Sequence, residues 1–140
     1  MVLNDEVTAE VVVEGTVSGQ NRHTVLWLTW QRSDPLAVGL RLCAYPDHPA
    51  LPRGHWSLLR DFLRYGLEEP TGDGDVRLTP DAGRGSVRLE LTYDGRCTSV
   101  DVPCATVIEF LDRTEAVVPS GAEATSETLD ALIERLLTEC

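Results

Sequence analysis

Residues 68–80, EEPTGDGDVRLTP, set Asp73 and Asp75 among two glycines, Gly72 and Gly74, with Arg77 two positions further on. Carboxylates at alternating positions suggest a cation, and glycines beside an arginine suggest a phosphate. A helix–loop–helix calcium site needs oxygen ligands at alternating loop positions and a glutamate about a dozen residues after the first. Here the next alternating positions are Arg77 and Thr79, so the pattern fails. A GxxxxGK[ST] phosphate loop needs a lysine, and all 12 basic residues of this chain are arginine. Gly83 and Gly85 in DAGRGS lead into a strand pattern rather than a helix, so no helix dipole faces an anion there and the pair reads as a turn. His23, His48 and His55 are possible bases, and Cys43 and Cys97 possible nucleophiles, but no nucleophile elbow or metal-ligand spacing joins them. The sequence thus carries no catalytic, metal or cofactor signature, and none of those activities is expected.

The elements that would hold these residues follow from hydrophobic periodicity. Residues 7–14 and 23–31 are β-branched or apolar strand patterns, the second containing Trp27 and Trp30. Ser33-Asp34-Pro35 makes a hairpin corner, because proline fixes φ and aspartate closes local turns. A third strand over 36–45 then places Val38, Leu40 and Leu42 on one face and Arg41 and Cys43 on the other. After the proline-rich 45–54, HWSLL predicts a short strand and FLRYGL a short helix capped by Asp61. DVRLTP is another short strand. Residues 85–102 predict a hairpin, since Val87, Leu89, Leu91 and Tyr93 alternate with Arg88, Glu90 and Thr92, and Asp94-Gly95 supplies the turn.

Pro103 opens a helix over CATVIEFLDRTEA with Val107, Ile108 and Leu111 along one side and Phe110 adjacent. Residues 126–139, capped by Thr125 or Ser126, set Leu129, Leu132, Ile133, Leu136 and Leu137 on one stripe of a C-terminal amphipathic helix. The predicted order is β-β-β-β-α, β-β-β-α and a terminal helix. This is an α+β fold in a single domain over 1–140, mostly antiparallel, with an internal structural duplication that leaves no sequence repeat.

Composition narrows the partners. The formal net charge is −11, from 23 acidic residues against 12 basic ones that are scattered along the chain. Such a surface is poorly suited to phosphate backbones, which are bound by clustered cations, so nucleic acid is not the expected partner. The start MVLNDEVTAE lacks a basic, apolar leader, and no run approaches a membrane span, so a cytoplasmic protein without membrane insertion is expected. Cys43, Cys97, Cys104 and Cys140 contain no CxxC pair and are expected as free thiols. Trp27 and Trp30 point to opposite faces of their strand, so one is expected in the core and the other at a contact surface.

Taken together, Asp34-Pro35 with Ala37-Val38, Gly66-Leu67, PTGDGDVRLTP at 70–80 and FLDRTEAVVPSGAE at 110–123 resemble the SsgA-like proteins of sporulating actinomycetes. The resemblance covers most of the chain. It implies that Asp34, Pro35, Gly72, Asp73, Gly74, Asp75 and Arg77 are a structural signature. It implies a fold similar to the Whirly type of single-strand nucleic-acid-binding protein, assembled as a homotrimer. It also implies a non-enzymatic adaptor that positions or activates septum formation during sporulation, at division sites, with the tubulin-like protein FtsZ and another SsgA-like protein as the candidate partners. The alternative is a single-stranded nucleic-acid-binding module on that fold. Two departures place the chain on a divergent branch: Leu36 where the family often has tyrosine, and RLCAYPDH where an FH pair is usual. Candidate contact residues are Trp27, Trp30, Leu129, Leu132, Ile133, Leu136 and Leu137.

Overall fold

The computed structural model describes residues 6–17, 20–44, 54–93 and 95–122. Its elements are β1 (Glu6–Val17), β2 (Gln20–Gln31), β3 (Asp34–Ala44), β4 (Gly54–Leu59), α1 (Arg60–Tyr65), β5 (Thr71–Asp73), β6 (Val76–Asp81), β7 (Ser86–Tyr93), β8 (Arg96–Pro103) and α2 (Cys104–Val117). The strands form one antiparallel sheet in the order β4-β3-β2-β1-β8-β7-β6-β5. Two four-stranded meanders are thereby joined at β1 and β8, through the pairs Gly15–Val100 and Thr16–Ser99. Each meander runs straight into a helix, so the expected α+β duplication is present, with four strands in each half. The C-terminal segment 126–139 lies outside the described residues.

The extra strand is β5, inside the loop at residues 68–80. Asp73 pairs with Val76, and the two-residue turn between them is made possible by Gly74 at φ 59°. That backbone region strains any residue with a Cβ. The predicted hairpin of β7 and β8 is also present, with Gly95 at φ 74°.

Alternation decides what is buried. Val7 and Val13, then Leu26, Leu28 and Trp30, then Val38, Leu40 and Leu42, then Trp56 and Leu58 all face inward from the first half. Val76, Leu78, Val87, Leu89, Leu91, Val100 and Val102 face them from the second half. The halves close on one another where the Trp56 indole N–H donates to the Thr92 carbonyl at 2.8 Å and its ring meets Tyr93 edge-on at 6.3 Å between centroids.

Both helices differ in detail from their sequence patterns. The short helix starts at Arg60, one residue before Asp61, and Leu59 stands in the capping position in extended backbone without a side-chain cap. Asp61 lies in the first turn, where its charge favours the helix dipole instead. In α2 the buried side is Val107, Phe110, Leu111 and Thr114, whereas Ile108 is 47% exposed. The stripe is thus rotated from the one predicted, with Phe110 rather than Ile108 reaching the core. No described helix is long and apolar enough to cross a membrane.

Candidate protein-interaction site

The signature residues fall at two hairpins. At the first, β2 and β3 are joined through Arg32 and Ser33, and Gln31 pairs with Asp34. Pro35 lies inside β3, buried, where it has no N–H to give the ladder. The β2–β3 register shifts between Thr29 and Gln31, and the Trp30 indole N–H donates to the Pro35 carbonyl at 2.9 Å. Asp34 is exposed at this corner. Trp30 is 1% exposed and belongs to the core, so its assignment as a contact residue is corrected.

The Trp30 ring leads to a residue that sequence inspection missed. The Arg60 guanidinium sits 5.6 Å from the ring centroid and is 1% exposed. Its Nη1 donates to the Val118 carbonyl at 2.8 Å and to Thr114 Oγ1 at 3.3 Å. A cation is thereby placed at the C-terminal, electronegative end of α2. The signal was in the alternation: Trp56, Leu58 and Arg60 continue one inward phase, so an arginine there must be buried or break the pattern. Beside it, Arg64 Nη2 lies 3.0 Å from Glu115 Oε2, and the Ser120 hydroxyl donates to Glu115 Oε1. The Ser120 hydrogen bond, and then the Arg64 charge, hold the Glu115 carboxyl below its usual range, against the opposing effect of partial burial.

At the second hairpin, the Thr92 N–H donates to the Asp75 carbonyl at 2.9 Å, tying the turn to β7. Arg77 is exposed and opposite Gly72, and among the described side chains no carboxylate forms an ion pair with it. Between the two hairpins runs α1, ending at Gly66, where a Cβ would stand 2.6 Å from Leu78 Cβ. Gly66 marks a point of close approach, whereas a Cβ at Gly72 would meet nothing nearer than Arg77 Nε at 3.9 Å and one at Gly74 would meet nothing within 4 Å. His55 is exposed on β4, Cys97 exposed on β8 and Cys104 half-buried at the start of α2. Among the described residues no group of three or more His, Cys, Asp and Glu has metal-binding proximity.

The second tryptophan is placed differently. Trp27, half-buried, lies on the outward face of β2 between Glu10 of β1 and Arg41 of β3, with His55 of β4 next in the row. Val12, 53% exposed, and Leu59, 44% exposed, share that face with Thr29 and Gly39. Stacked apolar and mixed polar groups on an open sheet suit a macromolecular partner. The remaining contact candidates, Leu129, Leu132, Ile133, Leu136 and Leu137, lie outside the described residues.

The family described as Streptomyces sporulation and cell division protein, SsgA, matches residues 25–123. The chain belongs to this family of sporulation and cell division proteins. It is 31% identical over 140 residues to the sporulation-specific cell division protein SsgB of Streptomyces coelicolor, covering 98% of this chain and 99% of that one. Against SsgB of Salinispora tropica it is 42% identical over 112 residues, covering 79% and 77%. A solved structure described as an SsgA-like sporulation-specific cell division protein from Thermobifida fusca superposes with a TM-score of 0.72 at 27% identity, over 96% of this chain and 98% of that one. A second, from work on SsgB mutations and longitudinal division in Streptomyces coelicolor, gives 0.71 at 30% identity, over 84% and 92%. The fold, the general role and the sequence resemblance agree.

Proposed function

We propose that the chain is a non-enzymatic adaptor of sporulation septation, acting in the cytoplasm at division sites together with FtsZ. The observation that carries this reading is the end-to-end similarity to a sporulation-specific cell division protein, over 98% of this chain. The outward row around Trp27 supports it, since an adaptor works through surface and needs no reactive centre. In this reading one domain spans 1–140, the fold is of the Whirly type, and the working form is a homotrimer that engages FtsZ and another SsgA-like protein. Septal recruitment is then a matter of protein contact, with no cofactor and no membrane insertion.

The test is imaging of a fluorescent fusion in sporulating hyphae beside labelled FtsZ and a nucleoid stain. Foci in a ladder that coincide with FtsZ and vanish on its depletion are expected. Signal spread over the nucleoid would overturn the reading in favour of single-strand nucleic-acid binding on the exposed sheet. In that case a binding titration would weaken steeply with salt, as phosphate contacts do.

A further inference from the structure

The sheet ends at β4 on one side and at β5 on the other, and the two outer edges are built in opposite ways. Which backbone groups reach them follows from the ladder. In an antiparallel pair alternate residues exchange hydrogen bonds with one neighbouring strand, and the residues between them face the other neighbour. The Thr92 N–H donates to the Asp75 carbonyl at 2.9 Å, so the even-numbered residues of β7 face β6. Carried through the registers of β8, β1, β2 and β3, this phase turns Trp56 and Leu58 toward β3, and His55, Ser57 and Leu59 toward the outer edge. The bond from Arg113 to the Thr8 carbonyl is an independent check, because the same phase points Thr8 away from β2.

At β5 the same phase leaves Gly72 alone facing outward, beside Pro70, which has no N–H, and Asp73 puts a charge on the strand. Shortness, charge and proline are the usual means of closing a sheet edge. Strand β4 has none of them: GHWSLL is six residues long without an acidic residue, an arginine or a proline. The N–H and C=O of His55 and Ser57 and the N–H of Leu59 line its outer side, and among the described residues no backbone group bonds to them there. The side chains of these three residues are exposed as well. We propose that β4 accepts an extended segment of a partner protein as an additional strand, held by main-chain hydrogen bonds to His55, Ser57 and Leu59.

Size selects a peptide segment over a second copy of the chain. Six residues make an edge about 20 Å long, and pairing along one such line falls short of the roughly 1,200–2,000 Å² of a standing protein interface. The flanks set the chemistry of the segment. Its inward positions would extend the apolar rows Leu40–Trp56 and Val38–Leu58, and its outward positions would stand beside His55, Ser57 and Leu59. The fitting sequence therefore alternates, apolar on one side and uncharged or hydroxyl-bearing on the other. This inference rests on the adaptor reading for the partner's being a protein, but binding is measured in solution without a septum, so the two can fail separately.

The probe is a synthetic octapeptide of alternating valine and threonine, blocked at both termini and with an arginine at each end for solubility, titrated against the full chain. Amide hydrogen exchange resolved by residue reads the site. Without peptide, the His55 and Ser57 amides should exchange faster than those of Trp56 and Leu58, and saturating peptide should slow them about tenfold. Ser57→Pro removes one outward N–H without touching the β3 ladder, so peptide affinity should fall about tenfold. A fully N-methylated peptide, which needs no change to the protein, should give no protection. Absence of protection at millimolar peptide, protection at Glu10 or Gly72 instead of β4, unchanged affinity in a folded Ser57→Pro variant, or equal binding of the N-methylated peptide would each overturn the proposal. Slow exchange at His55 and Ser57 that develops with protein concentration alone would assign the edge to a second copy and overturn it too.

Discussion

Gly66 shows how a single missing side chain sets the distance between two elements. With a Cβ only 2.6 Å from Leu78 Cβ, Gly66→Ala must push the end of α1 off β6, and neither atom is the end of a flexible chain. The expected loss is about 1–3 kcal/mol, the usual cost of overpacking, read as a lower denaturant midpoint at unchanged slope. Glu115 gives a pH signature at the same scale. Its carboxyl is depressed in the folded state, so it stabilises the fold above its ordinary value of 4.5, and that contribution is lost as pH falls through the folded value. The stability gap between wild type and Glu115→Gln should therefore be full at neutral pH and close progressively below about pH 4.5. A gap that stays constant down to strongly acidic pH would show that the carboxylate charge does not matter there.

Among the elements, the most legible were the long alternating strands. Val87, Leu89 and Leu91 against Arg88, Glu90 and Thr92 left one possible register face, and the Asp94-Gly95 turn fixed the hairpin. Strand β5 was not legible, because three residues, one of them glycine, are too few to carry a period of two. Its existence depends on tertiary pairing with β6 and on the Gly74 turn. Gly74→Val should therefore cost about 1–2 kcal/mol, from the left-handed backbone it forces on a β-branched residue, and should raise amide exchange in β5 before the rest of the sheet. Gly83→Ala in the neighbouring hairpin is the control, with its nearest contact at an ordinary 3.6 Å and a change within about 0.5 kcal/mol expected. The helix stripe of α2 was misphased for a related reason. Val107 and Leu111 are compatible with either Ile108 or Phe110 inside, and only the surface α2 packs on decides between them. The outward phase around Trp27 was visible in sequence, yet which tryptophan it exposed was not. Parity separates the two without saying which side the core is on.

At the scale of the whole molecule, the duplication carries a consequence for how the chain is cut. The two meanders meet through a short run of paired residues, a shared core, and the reach of Arg60 from one half to the Val118 carbonyl at the end of the other. Between them runs only the stretch around Glu68 and Glu69, which is exposed. Neither half can hide its inward face alone, since the covering apolar surface belongs to the other. Two polypeptides, 1–68 and 69–140, should accordingly stay unfolded apart and assemble into the native sheet when co-expressed, with the Trp56 fluorescence of the intact chain restored. A half that folds by itself would contradict this. If they do assemble, the protein behaves as a covalently tethered heterodimer, and its two pieces could serve as a split reporter for whatever brings them together inside a cell.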